Sequence, residues 1–281
     1  ILLYITFATI GCEKSDIACM DQSDANDLVF ELLSKGVTNR QLLVLAAHYR
    51  RIELEKQLLK TFNNQIAYGP FKGAKQAGFA HGSTLCPKIL GSYENELSNR
   101  IKSLARNKSC FIDIGCAEGY YTTGIGLKSD IPVIIGVDIS NPAIEQARKS
   151  AEINNISKKC IFETSIEKAS NHLSTNCLAM IDVDGDEVKV INSFCHELSR
   201  HSIQNIDLII ETDYQKNGKS NSDEIARLLK SNNFEIKEII HQDFSMRESE
   251  ASKTLTNSLL DLIIYGLEGR PLDQHWIIAH R

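Results

Sequence analysis

The chain lacks a basic excess, a cysteine framework and any long apolar run. Against 31 Lys and Arg stand 36 Asp and Glu, a net charge of −5, which offers no electrostatic footprint for a polyanion and excludes nucleic acid as an expected partner. Eight cysteines (Cys12, Cys19, Cys86, Cys110, Cys116, Cys160, Cys177 and Cys195) include no Cys-x-x-Cys pair and no Cys/His group at zinc spacing. Free thiols in a reducing cytoplasm explain them better than a disulfide scaffold, which small secreted domains need. The opening run Ile1 to Ile10 is too short to cross a bilayer, and nothing later approaches about 18 uninterrupted apolar residues, so no membrane partner is expected. No basic segment precedes that run, and Thr9-Ile10-Gly11-Cys12 is a poor lipoprotein site, so a start at Ile1 reads as a truncation.

What is present fits a globular protein: 42% hydrophobic and 24% charged residues rule out disordered and collagen-like chains. Residues 1–65 read as a helical N-terminal extension. Leu28, Leu32 and Leu33 recur at helix spacing before a stop at Gly36. Thr38 and Gln41 then form a capping box ahead of the stripe Leu42, Leu45, Ala46, Tyr49 and Ile52. Its expected role is packing or homo-oligomer formation. Residues 66–108 read as a glycine- and proline-rich loop, Gly69 to Gly91, with a linking helix around Tyr93 to Ala105.

From residue 109 to 281 short apolar runs alternate with helical patterns, which predicts an α/β fold, a doubly wound and mostly parallel sheet. Strands are expected at Cys110–Ile114, Val133–Asp138, Cys160–Thr164, Cys177–Asp182, Asp207–Thr212, Phe234–His241 and Trp276–Ala279. Asn141 with Pro142, and Ser222, are expected to start helices. Met246 to Asn257 reads as a surface insertion ahead of a helix over Leu259 to Leu267.

The sharpest motif is Asp113-Ile-Gly-Cys-Ala-Glu-Gly119, a buried strand followed by a glycine turn that opens a helix. Gly115 and Gly119 allow a ligand close to the backbone, and the helix start offers free N–H groups. A second strand ends at Asp138, where an acid would meet a ribose diol. Together they indicate a nucleoside cofactor. Ala117 occupies the middle glycine of a dinucleotide fingerprint, so a pyrophosphate fits poorly, and Ile125 stands where a P-loop needs lysine.

These residues, with Ile181-Asp-Val-Asp-Gly-Asp-Glu187, resemble class I S-adenosylmethionine-dependent methyltransferases, and more narrowly the FkbM-like branch. That branch often has Glu where Asp184 stands. Gly69-Pro-Phe-Lys-Gly73 and Leu90-Gly-Ser-Tyr-Glu-Asn-Glu-Leu97 also look like bacterial members, so the resemblance covers roughly Gly69 to Arg281. It implies a sheet of seven strands in a Rossmann-like methyltransferase, the last strand antiparallel, with S-adenosylmethionine as cofactor. Gly115, Cys116, Ala117 and Gly119 would wrap the methionine part, and Asp138 would hold the ribose. Asp113 would orient either the loop or the amino group. Ser165 and Glu167 would lie against the adenine, with a solvated helix start as the alternative for Glu167. Glu94 would reach the amino end of the cofactor or be an exposed first-turn acid.

The run Asp182, Asp184, Asp186 and Glu187 has three readings: a metal site, a base, or a helix start. An EF-hand fails, because Glu187 and Ser193 occupy its sixth and twelfth positions, and no metal ligands are assigned, although some oxygen methyltransferases place magnesium nearby. Asp186 and Glu187 read as first-turn acids. Asp182 and Glu211, at strand ends on the ligand face, are the catalytic candidates, ahead of His241 and His81; Glu211 could equally pair with a helix cap. The expected reaction is methyl transfer to a sugar or other small-molecule hydroxyl. Its rivals are a non-catalytic nucleoside-binding or scaffold protein and an NAD-dependent Rossmann dehydrogenase.

Overall fold

The computed structural model describes residues 30–78, 80, 83–214, 220–242, 250–266 and 274–281. Its centre is a seven-stranded sheet in the order β3-β2-β1-β4-β5-β7-β6. The strands are β1 Cys110–Ile114, β2 Val133–Val137, β3 Cys160–Glu163, β4 Asn176–Ile181, β5 Asn205–Glu211, β6 Glu235–His241 and β7 His275–His280. Every expected strand is present, with ends shifted by one or two residues. β1 to β5 pair in parallel, and β7 runs antiparallel between β5 and β6.

The strands' sequences follow from what covers them. β1 is buried at all five positions, because helices pack on both faces and a parallel strand there must be apolar throughout. Ile112, Ile114, Ile135, Ala179 and Ile210 enter the core on one side; Phe111, Ile134, Leu178, Met180, Ile209 and Trp276 enter it on the other. β6 alternates exposed and half-buried residues instead, as an edge strand does.

The helices are α1 Asn39–Thr61, α2 Leu85–Leu90, α3 Ser98–Leu104, α4 Tyr120–Lys128, α5 Asn141–Ile153, α6 Ile166–Ser170, α7 Glu187–Arg200, α8 Ser222–Ser231, α9 Glu250–Leu255 and α10 Leu259–Gly266. α1 starts with the expected capping box: Thr38 Oγ1 accepts from the Gln41 N–H, and Gln41 accepts from the Thr38 N–H. Its Leu54 and Leu58 pack against Leu85, Ile89 and Leu90 of α2 and Ile264 of α10. Arg50 grips Asp261 of α10 through two 2.9 Å bonds.

Three local expectations shift. α2 lies inside the stretch read as loop; all six of its residues are buried, so tertiary burial outweighs the weak propensity of a segment holding Pro87. The cap of α5 is Ser140, whose hydroxyl accepts from the Ala143 N–H, and Asn141 is its first residue. α8 is preceded by Asn221, with Ser222 as its first residue. Six cysteines are free thiols and all but Cys160 are buried. Cys12, Cys19, Leu28 and the run Ile1 to Ile10 lie outside the described residues, as does part of Met246 to Asn257, of which α9 is helical. Among the described residues no helix is long and apolar enough to cross a membrane.

Candidate functional site

The strand order reverses between β1 and β4, and in such sheets ligands bind beyond the carboxyl ends of the strands at that point. A cleft of about 1230 Å³ opens there, lined among others by Asp113, Gly115, Cys116, Ala117, Asp138, Ser165, Glu167 and Asp182. It exceeds a typical single-ligand pocket of roughly 300–1000 Å³, leaving room for two reactants.

The turn after β1 is pinned from both sides. The Gly115 and Cys116 N–H groups donate to the Val137 carbonyl at 2.8 and 3.0 Å, and the Asp182 N–H donates to the Ile114 carbonyl at 3.0 Å. Gly115 has φ +91°, and a Cβ there would stand 1.7 Å from the Asp182 carbonyl oxygen. This glycine is therefore required by the neighbouring chain, whatever the ligand. Gly119, at φ +84°, precedes α4 and would place a Cβ 3.2 Å from Ala147.

Ala117 also adopts the left-handed region, φ +47°, a modest strain for a residue with a Cβ. Its N–H donates to Asp138 Oδ2 at 3.0 Å, and the Ser140 N–H donates to Oδ1 at 2.8 Å. A carboxylate has about four lone-pair sites, so Asp138 keeps acceptor capacity for a diol while being held rigid.

Asp113 is buried and accepts at Oδ2 from the Thr122 N–H at 3.0 Å and the Thr122 hydroxyl at 2.6 Å. It thus fastens β1 to α4 while also lining the cleft. Burial pushes its carboxyl up to about 7; the Thr122 bonds oppose this and the nearby Asp182 and Asp138 add to it. Burial likewise holds the Cys116 thiol well above its ordinary range. Ser165 caps α6 by accepting from the Lys168 N–H, and Glu167 is an exposed residue in its first turn.

Beside the turn three carboxylates converge. Glu94, Asp182 and Glu211 each offer an oxygen, and these lie within 4.8 Å of one another. Asp182 lines the cleft, half-buried, whereas Glu94 and Glu211 are buried. The Tyr121 hydroxyl donates to Glu94, and Gln242 Nε2 donates to Glu211 Oε1 at 2.7 Å. Such a group can take a proton from an acceptor or share a divalent cation. The exposed first-turn reading of Glu94 is corrected: it sits buried ahead of the 3-10 turn Asn95–Leu97.

Glu187 was read as a helix-start acid, and it does open α7, but it is fully buried. Its Oε1 accepts from the Gly185 N–H at 2.7 Å and its Oε2 from Asn221 Nδ2 at 2.6 Å. Asn221 Oδ1 in turn accepts from the Asp213 N–H at 2.9 Å. Glu187 therefore ties the turn after β4, which carries Asp182, to the one after β5, which follows Glu211. Burial raises its carboxyl, opposed by the Gly185 bond. Its place at the end of the Asp-Val-Asp-Gly-Asp-Glu run was the available signal. Asp184 and Asp186 are exposed. His241 is exposed on β6, its ring 5.6 Å from that of His275, and His81 lies outside the described residues.

No protein-family profile matches the chain. No curated protein sequence matches it either. Solved structures align with part of it. The ribosomal protein L11 methylase from Lactobacillus delbrueckii subsp. bulgaricus aligns at 13% identity over 73% of this chain and 82% of its own, with a TM-score of 0.46. Magnesium protoporphyrin IX methyltransferase from Synechocystis PCC 6803, with bound SAH, aligns at 14% over 68% and 83%, TM-score 0.43. The B. subtilis M1A22 tRNA methyltransferase TrmK aligns at 11% over 64% of each chain, TM-score 0.38. The seven-strand, mostly parallel sheet with flanking helices is a Rossmann-like, doubly wound fold.

The exclusion of nucleic acid as an expected partner does not stand. The physical fault lies in reading a surface from a whole-chain sum. Glu94, Asp113, Glu118, Glu187, Glu197 and Glu211 all count towards the −5 although they are buried.

Proposed function

We propose that the chain is an S-adenosylmethionine-dependent methyltransferase of the FkbM-like branch that methylates a hydroxyl oxygen, a sugar hydroxyl being the first to test. One observation carries this reading: a glycine turn braced by Asp138 and a carboxylate, Asp182, face the same cleft at the switch point.

The residues fit the cofactor. Asp138 keeps acceptor sites for the ribose hydroxyls, Gly115, Cys116 and Ala117 offer a backbone surface to the methionine part while Gly119 behind them packs on Ala147, and Ser165 and Glu167 border the adenine. When bound, S-adenosylmethionine supplies an electrophilic methyl group on a sulfonium. Asp182 accepts the proton of the attacking hydroxyl, with Glu94 and Glu211 beside it. Glu187 positions the turn from which Asp182 acts. The left-handed Ala117, whose Cβ stands where a dinucleotide site needs glycine, weighs against the dehydrogenase reading.

The test is titration with S-adenosylhomocysteine and NAD, followed by labelled methyl transfer to glycans, nucleotide sugars, transfer RNA and protein. Binding of S-adenosylhomocysteine with labelled glycan or sugar supports the reading. Failure to bind it refutes the enzyme class, and labelling of RNA or protein alone refutes the hydroxyl small-molecule acceptor.

A further inference from the structure

Of the lysines in the glycine- and proline-rich segment, Lys72 and Lys75 are exposed, whereas Lys88 is only 3% exposed and lines the cleft. It stands on α2, where all six residues are buried. Its ammonium donates to Glu118, which belongs to the glycine turn itself. It also lies 4.7 Å from the centre of the Tyr93 ring and 5.4 Å from that of Tyr120. A buried ion pair is costly compared with apolar packing, so its retention beside a ligand cleft calls for a use.

An ammonium has three N–H donors, and Glu118 takes one. Because the pair is close to neutral, it presents oriented donors without a large net positive charge, which suits a single carboxylate better than a phosphate dianion. The same cleft is lined by the carboxylate of Asp182 and by Asp113, Gly115 and Cys116 of the turn region. The other lysine lining the cleft, Lys189, is exposed on α7. A carboxylate and, among the described residues, a single buried ammonium on the cleft with the glycine turn match an amino acid zwitterion, with an ammonium and a carboxylate a few ångströms apart.

We propose that Lys88, held by Glu118, receives the α-carboxylate at the amino-acid end of the cofactor. The inference rests on the methyltransferase reading above. It assigns recognition of that carboxylate to α2, outside the strand-and-turn motif, so that binding couples the segment before the sheet to the turn.

The experiment is calorimetry on the full chain with S-adenosylhomocysteine and with its decarboxylated analogue, which keeps the amine and the nucleoside. Wild-type protein is expected to prefer the carboxylate-bearing ligand by about tenfold or more, the range of a charge-assisted hydrogen bond. In Lys88→Met/Glu118→Gln, which leaves no orphaned charge, the preference is expected to fall below about threefold with little change for the analogue. A folded double variant that keeps the full preference overturns the assignment, and so does a wild-type protein with no preference, a readout that needs no variant to fold. Wild-type protein that binds neither ligand refutes the methyltransferase reading and this inference with it. Lys88→Arg is expected to retain a measurable preference, and its loss there with the fold intact also counts against the assignment.

Discussion

The backbone N–H of Ala117 donates to Asp138 Oδ2 across 3.0 Å, joining the turn after β1 to the end of β2 before any ligand arrives. The acid is thus both a brace and a binding group. Its two roles are separable by substitution.

Asp138→Asn keeps an oxygen to accept the Ala117 N–H but turns its NH2 towards the Ser140 N–H, and it loses the charge and half the acceptor capacity. Affinity for S-adenosylhomocysteine is expected to fall by about tenfold, on the order of 1.5 kcal/mol, with a smaller loss of stability from the Ser140 bond. Asp138→Ala also frees Ala117 and is expected to cost more. Calorimetry on both variants checks the order.

Gly115→Ala is expected to destabilise the domain by about 3 kcal/mol or more, because its Cβ meets the Asp182 carbonyl at 1.7 Å and its φ is +91°. Gly119→Ala, with a 3.2 Å approach to Ala147, is expected to cost less. Urea unfolding of the two variants gives the comparison, and equal losses would contradict the geometry.

Asp113 makes stability depend on pH with a definite sign. Its carboxyl is raised in the folded protein from 3.8 to about 7, so the folded state holds the proton more tightly. Its contribution is full below about pH 4, declines as pH rises towards 7 and is lost above it. Asp113→Asn can still accept from Thr122 without titrating. The difference in unfolding free energy, wild type minus variant, is therefore expected to fall between pH 4 and 7 by a few kcal/mol in order of magnitude. A flat difference would show that the group is not protonated in the fold.

Asp182→Asn is expected to lower kcat by roughly a hundredfold or more, within the usual range for removing a general base. Affinity for S-adenosylhomocysteine should stay within about threefold, since uncoupling the two constants is what distinguishes a proton acceptor from a cofactor ligand. Parallel losses would place Asp182 on the cofactor.

The sheet and the turn were legible because their signals are local. Phe111-Ile112-Asp113-Ile114-Gly115 carries a strand, its end and a positive-φ glycine in consecutive residues, and Asp138 follows at a spacing set by one crossover. The burial of Glu94, Lys88 and Glu187 was not legible, for the opposite reason. An acid or lysine in a polar stretch reads as solvated, and only tertiary packing puts Glu94 at 1% exposure, Lys88 at 3% and Glu187 at 0%. α2 was missed likewise, since Pro87 and the flanking Gly91 read as turn residues while Leu85, Ile89 and Leu90 owe their helix to α1 and α10. The glycine at 115 was recognised, but its reason was not: the sequence suggested space for a ligand, whereas the nearest obstacle is the Asp182 carbonyl at the end of the adjoining strand β4.

The position of β7 bears on how the chain assembles. β5 and β6 follow one another in sequence, yet β7 lies between them, with Ile209 opposite Ile278 on one side and Ile239 opposite Ile277 on the other. A ribosome delivering this chain presents β1 to β6 long before the strand that separates the last two. Until it arrives, β5 carries an unsatisfied, apolar edge containing Ile209 and Ile210, the sort of edge that recruits other strands. The nascent domain is then most open to aggregation in the interval between the emergence of β5 and that of His275–His280, the window in which a chaperone has most to shield.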